Sequence, residues 1–93
     1  MRYIKLGGVR AFPGVQPTKG QALKVVEESA EIFSAWEGWQ TVEDEHEREM
    51  LLDEIADTIQ ASCNLAYALG VTDLTPYLAR CEERNRRRGR YEG

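Results

Sequence analysis

Two pairs of carboxylic residues stand one helical turn apart in two segments of the chain. Glu28 and Glu31 lie in "VVEESAEIF", and Glu54 and Asp57 lie in "EIAD". Residues three apart on a helix project from one face, so each pair presents its two carboxylates together. If the two segments form antiparallel helices, the pairs converge, and four crowded carboxylates raise one another's pKa values or require a cation. Oxygen-only ligands favour a hard ion, so we expect Mg²⁺, with Mn²⁺ as the alternative.

The first pair lies on a predicted helix that follows a capping signal. Thr18 precedes Gln21 by three residues, and an apolar-periodic run follows, which predicts a helix from Lys19 to Trp36 or Gly38. On a helical wheel, the main apolar side holds Leu23, Val26, Ala30 and Phe33. A separate stripe carries Lys24, Glu28, Glu31 and Ala35, while Glu27 lies off that stripe.

The second pair lies on a predicted helix that Thr41 caps and that ends at Leu69, with Gly70 just beyond it. Its predicted core face contains Leu51, Ile55, Ile59 and Cys63. A different stripe holds Met50, Glu54, Asp57, Ala61, Asn64 and Ala68. Small residues beyond two acids leave room for a ligand along the helix.

A third helix is predicted after Thr72 or Thr75, with Pro76 in its first turn and fraying near Asn85. Glycines and prolines make residues 1–17 an irregular arm, with a short strand at Tyr3–Leu6 as one option. The chain therefore reads as one all-α domain, 1–93, with three helices, the arm and a basic tail at 86–93.

Charge is distributed unevenly along the chain, whose net charge is −4. Between Glu27 and Asp57 there are 12 acidic residues and one basic residue, whereas Arg80–Arg90 holds six arginines and two glutamates. This polarity favours one region that holds cations and another that holds anions, although a solvated acidic stretch with a basic tail is the simpler interpretation. A nucleic acid polymer is a poor partner for such an acidic chain. No apolar run approaches the roughly 20 residues of a membrane span, and two unpaired-looking cysteines favour a cytoplasmic location.

The combined pattern "EESAE" (27–31), 22 intervening residues and "EIAD" (54–57) resembles the E-E-x-x-E … E-x-x-D signature of MazG-like nucleotide pyrophosphohydrolases. The segment "CEERNRRRGRY" is similar to the C-terminal segment of that family, and the resemblance covers roughly residues 18–90. It implies hydrolysis of a nucleoside triphosphate, ribose or deoxyribose, to a monophosphate and pyrophosphate.

The resemblance also implies roles for individual residues. Glu28, Glu31, Glu54 and Asp57 would ligate Mg²⁺, and Glu27 would orient a water or support the metal site. Contacts to the substrate are expected from Lys24, Trp39, Asn64, Arg84, Asn85 and Arg88. Asn64 would read sugar or base, the tail residues would hold phosphates, and Trp39 is preferred to Trp36 for stacking on the base.

Association of two chains is expected because two helices carry both a core face and a site face. A four-helix-bundle homodimer, or a dimer of dimers, would cover the remaining apolar surface. The alternative to an enzyme is a non-catalytic helical dimerisation or structural metal-binding module, whose acids bind a metal structurally or bind nothing.

Overall fold

Three helices, α1 (Lys19–Val42), α2 (Glu45–Ala68) and α3 (Thr75–Arg87), form the fold in a computed structural model that describes residues 2–92. No strand forms within residues 2–92, which confirms the all-α class. The optional strand at Tyr3–Leu6 is therefore wrong, because no neighbouring extended segment pairs with it.

The boundary between α1 and α2 differs from the prediction. Thr18 caps α1 as expected, its hydroxyl accepting from the Gln21 amide at 3.2 Å. However, α1 continues past Trp36 and Gly38 to Val42, and the predicted cap Thr41 instead donates its hydroxyl to the Glu37 carbonyl within α1. The observed cap of α2 is Asp44, whose carboxylate accepts from the Glu47 amide at 2.9 Å.

The connection between α1 and α2 consists of Glu43 and Asp44 alone. Glu43 adopts the left-handed conformation, with φ 55°, and this reverses the chain direction. A connection this short favours antiparallel neighbours. Gly38 faces the Glu47 carboxylate close to the turn, where a Cβ would lie 3.0 Å from it. The missing side chain therefore leaves room for Glu47, which explains a glycine inside the helix.

The stripe of α1 that contacts α2 is not the one with the strongest apolar character. Half-buried positions recur every three or four residues, at Gln21, Val25, Glu28, Ile32, Ala35 and Trp39. The predicted core side is exposed instead: Val26 is 61% accessible and Phe33 is 60% accessible. The predicted core side of α1 is thus wrong for the isolated protomer, because the hairpin turns that side away from α2.

The corresponding reversal occurs on α2. Ala61 and Asn64, from the stripe expected to face a ligand, are the two residues in the described part of the chain that are classed as buried. Ile55, from the expected core face, is exposed. Small residues at Ala61 and Ala68 therefore lie on the inner side of the protomer rather than along an open ligand channel.

Helix α3 follows the loop after Gly70, which has φ 88° and ends α2 as predicted. Thr75 is its first residue and Pro76 lies in the first turn, while Asp73 accepts from the Thr75 amide at 2.9 Å. The helix extends past Asn85 to Arg87, because Glu83 pairs with Arg86 at 2.6 Å and Arg87 at 3.3 Å and holds the last turn.

The third helix stands apart from the hairpin. Among residues 2–92, no Cα of α3 lies within 8 Å of a Cα of α1 or α2. None of the three helices has the length and apolar character needed to cross a membrane.

Asp44→Ala should lower the free energy of unfolding by about 1 kcal/mol, a loss of roughly 4–8 °C in Tm, because the Glu47 amide loses its acceptor. Thermal unfolding at a fixed protein concentration measures it. Asp53→Ala is the control, since Asp53 lies exposed inside α2. A Tm for Asp44→Ala equal to that of the control would contradict the assignment of the cap.

Candidate metal centre

Three carboxylates from two helices meet on the α1–α2 contact. Glu28 of α1 and Glu54 and Asp57 of α2 each offer an oxygen within 4.8 Å of the others. Glu28 and Glu54 are half-buried, and Asp57 is exposed to solvent. The antiparallel hairpin thus brings one member of the first predicted pair against both members of the second. We call Glu28, Glu54 and Asp57 the acidic triad.

Glu31 lies at the edge of the triad. It is outside the group of mutually close oxygens, but a hydrogen bond with the Glu31 carboxyl, with desolvation and the surrounding negative charges, raises the pKa of Glu54. Two carboxyls can share such a bond only when one of them is protonated. The predicted set of four ligands is therefore represented by three close carboxylates and one neighbour in contact with Glu54.

The second oxygen of Glu54 has no partner. Its Oε2 is inaccessible to solvent and accepts no hydrogen bond from any described residue. Desolvation, followed by the charges of Glu31 and Asp57, also raises the pKa of Glu28. Both shifts have the same physical origin: the folded chain holds like charges together without a compensating cation.

Glu27 and Lys24 lie outside the triad. Their side chains pair with each other at 3.3 Å and both remain mostly exposed. Lys24 nevertheless lowers the pKa of Glu28 through its charge, against the other contributions. The structure thus gives Glu27 a partner other than a metal, and it leaves Lys24 close enough to influence the triad electrostatically.

Asn64 is 2% exposed, and its Oδ1 accepts from the Phe12 amide and from Gln60 Nε2, both at 3.0 Å. The predicted reader of sugar or base is therefore occupied by the N-terminal arm. Sequence reasoning missed both partners. The signal for Gln60 was an amide one turn before Asn64, whereas nothing in the sequence pointed to a backbone donor at Phe12.

The aromatic residues near the turn divide between two sides of α1. Trp39 is half-buried on the stripe that faces α2, and its carbonyl accepts from the Glu43 amide. Trp36 is 42% exposed and stacks on Phe33, with ring centroids 5.8 Å apart. Trp36 thus belongs to the exposed apolar side rather than to a buried core of the protomer.

The predicted phosphate-binding residues all lie at the end of α3. Asn85 donates to Cys81 Sγ at 3.5 Å and accepts from Arg90 at 3.0 Å. Arg84 and Arg88 are exposed. Because α3 packs on neither α1 nor α2, helix packing within one protomer does not join these residues to the acidic triad.

Glu54→Gln should stabilise the metal-free protein at neutral pH. A carboxyl whose pKa is raised by folding binds its proton more tightly in the folded state, so stability falls as pH rises through that raised pKa. The gain from Glu54→Gln should shrink toward zero as pH falls to the ordinary glutamate pKa of 4.5. Melting curves across this pH range, with chelator present, measure the difference.

Asp53→Asn supplies the control for that comparison, because it removes an exposed carboxylate of the same helix outside the triad. A gain from Glu54→Gln that is independent of pH would contradict the electrostatic cause.

Comparison of the chain with protein-family models, with curated proteins and with solved structures finds no match.

Proposed function

We propose that the protein hydrolyses nucleoside triphosphates to monophosphate and pyrophosphate in a Mg²⁺-dependent reaction. The observation that carries the proposal is the acidic triad, in which two helices converge three carboxylates that have no cationic partner among the described residues. The E-E-x-x-E … E-x-x-D resemblance supplies the reaction type. A cytoplasmic location, where such nucleotides are present, belongs to the same proposal.

The donor set fits a magnesium ion. All three groups offer oxygen, and opposite ligands in a Mg²⁺ octahedron lie about 4.2 Å apart, so the observed spread of up to 4.8 Å needs only small side-chain adjustments. The unpartnered Oε2 of Glu54 gains a partner when a cation enters. Mn²⁺ prefers the same ligands and is expected to substitute.

When bound, the ion supplies neutralisation of phosphate charge and a lower pKa for attacking water. The residues of the chain hold the ion and orient the reactants. Glu28, Glu54 and Asp57 are the proposed ligands, and Glu31, in contact with Glu54, completes the set. Four carboxylates repel a polyphosphate, so these residues favour nucleotide binding only together with the cation.

Arg84, Asn85 and Arg88 are the proposed phosphate contacts, because arginine forks match phosphate oxygens. Their separation from the triad by helix packing supports a site completed between two protomers. Trp39 and Lys24, which lie on or beside the stripe of Glu28, remain the proposed neighbours of the base and the phosphates.

The surface of the protomer supports a homodimer as the working assembly. Its accessible area is 7604 Å², whereas a compact monomer of 10.6 kDa exposes about 5,500 Å². Its radius of gyration of 15.4 Å exceeds the roughly 12 Å expected of 93 residues. An excess of about 2,000 Å² per protomer matches the area that obligate homodimers bury.

The proposed interface uses the exposed apolar side of α1. Its residues are Leu23, Val26, Phe33 and Trp36, each more than 40% exposed, and Leu52 and Ile55 of α2 add to the exposed apolar area. Two hairpins that bury such sides against each other form a four-helix bundle. A second copy is the fitting occupant because it presents the same apolar side in a two-fold arrangement.

The second candidate function is a non-catalytic helical module in which the same acids bind a metal structurally. The exposed apolar side of α1 favours association under either function, so it does not discriminate between them. Nucleotide chemistry does, since only the enzyme releases pyrophosphate.

A panel of nucleoside and deoxynucleoside triphosphates with Mg²⁺ should show pyrophosphate release from at least one member. Glu31→Gln and Asp57→Asn should each lower that rate by about a hundredfold or more, because the carboxylates that hold the cation are lost. Asp53→Asn should keep the rate within about twofold, since Asp53 lies outside the triad.

Release of pyrophosphate from no nucleotide would remove the enzymatic function. Full activity in both Glu31→Gln and Asp57→Asn would remove the triad as its site. A rise in Tm with Mg²⁺ in the absence of any hydrolysis would favour the structural metal-binding module.

Phe33→Glu should convert a dimer of about twice 10.6 kDa into a monomer, because a carboxylate replaces an aromatic ring on the proposed interface. Sedimentation velocity measures the mass. His46→Glu adds the same charge at an exposed position in the first turn of α2 and should remain dimeric. A wild-type monomer, or two variants of equal mass, would contradict the proposed interface.

A further inference from the structure

The N-terminal arm, here residues 2–12, contacts both α2 and the end of α3. Helix α3 itself has no Cα within 8 Å of α1 or α2. Apart from the covalent loop at 69–74, the arm is therefore a second connection between the α1–α2 hairpin and α3. Its two attachments differ in chemistry.

At α2 the arm is held through its backbone. Gln60 Nε2 donates to the Arg10 carbonyl at 2.9 Å, and Asn64 Oδ1 accepts from the Phe12 amide at 3.0 Å. Gln60 also donates to Asn64 Oδ1, which fixes the orientation of both amides. The most buried side chain among the described residues is thus an amide whose hydrogen bonds hold the arm.

At α3 the arm is held by polar side chains. Arg2 Nη2 donates to the Tyr91 carbonyl at 3.0 Å. Glu82, through a hydrogen bond and its negative charge, raises the pKa of the Tyr3 hydroxyl. Both contacts lie on or just beyond the helix that carries the arginines.

Between the two attachments the arm is not packed. A Cβ placed on Gly7 or Gly8 meets no atom within 4 Å. A cavity of about 310 Å³ separates Leu6–Val9 from α2 and Leu78 of α3. The position of α3 therefore depends on the two ends of the arm rather than on continuous packing along it.

We propose that the arm is a strap that positions α3, with Gln60 and Asn64 as its anchor on α2. The anchor recognises backbone groups, so it sets where the arm runs whatever its side chains are. Under the proposed function, on which this part rests, the strap also positions Arg84 and Arg88 for phosphate. Gln60 and Asn64 are then positioning residues that never contact the nucleotide.

The test reverses the polarity of the anchor with Gln60→Glu, which replaces a donor by a carboxylate facing the Arg10 carbonyl and Asn64 Oδ1. Hydrogen exchange of the α3 amides should accelerate roughly tenfold, while α1 and α2 exchange as in the wild type. Gln40→Glu, the same change at an exposed position of α1, is the matched control. A variant that lacks residues 2–12 should reproduce the exchange pattern of Gln60→Glu.

Unchanged exchange in α3 for both Gln60→Glu and the truncated chain would overturn the strap, whether or not the protein is an enzyme. Where the wild type hydrolyses a nucleotide, Gln60→Glu should raise KM roughly tenfold and leave kcat within about twofold. Faster exchange with an unchanged KM would overturn the positioning of the arginines. Absence of hydrolysis in the wild type would overturn the proposed function and that part of the inference, while the exchange result decides the strap separately.

Discussion

The two-residue connection between α1 and α2 is the constraint on which the rest of the structure depends. Glu43 and Asp44 leave no length for another arrangement, so the helices pack antiparallel in one register. That register brings Glu28 against Glu54 and Asp57, and it places Glu47 beside Gly38. The same geometry turns Val26 and Phe33 outward. Convergence of the acids and exposure of the apolar side are two results of a single turn.

The hairpin therefore gives burial to polar groups and exposure to apolar ones, the reverse of an ordinary globular core. Burial of Asn64 is balanced by its hydrogen bonds, whereas crowding of the carboxylates is balanced by nothing in the protomer. An isolated chain of this kind lacks both a core and a counter-ion. Association with a second copy and binding of a cation each remove one of these deficits, which is why we propose them together.

Local signals in the sequence were sufficient for the elements and for the pairing of the acids. The Thr18 cap, the helical spacing of the carboxylates and Gly70 after α2 depend on residues within a few positions, and the structure agrees with them. The end of α1 was misplaced because Gly38 resembles a helix terminator. It is retained inside the helix by its close approach to Glu47, a contact between residues of different helices.

By itself the sequence determined an all-α chain with two i, i+3 acid pairs on successive helices, because 3.6-residue periodicity is a local property. Only the tertiary structure decided which side of each helix faces its neighbour, since two stripes on each helix were apolar or small enough to pack. It also decided that Asn64 binds the arm and that α3 stands apart from the hairpin. These features depend on contacts between segments up to 52 positions apart, which no local pattern encodes.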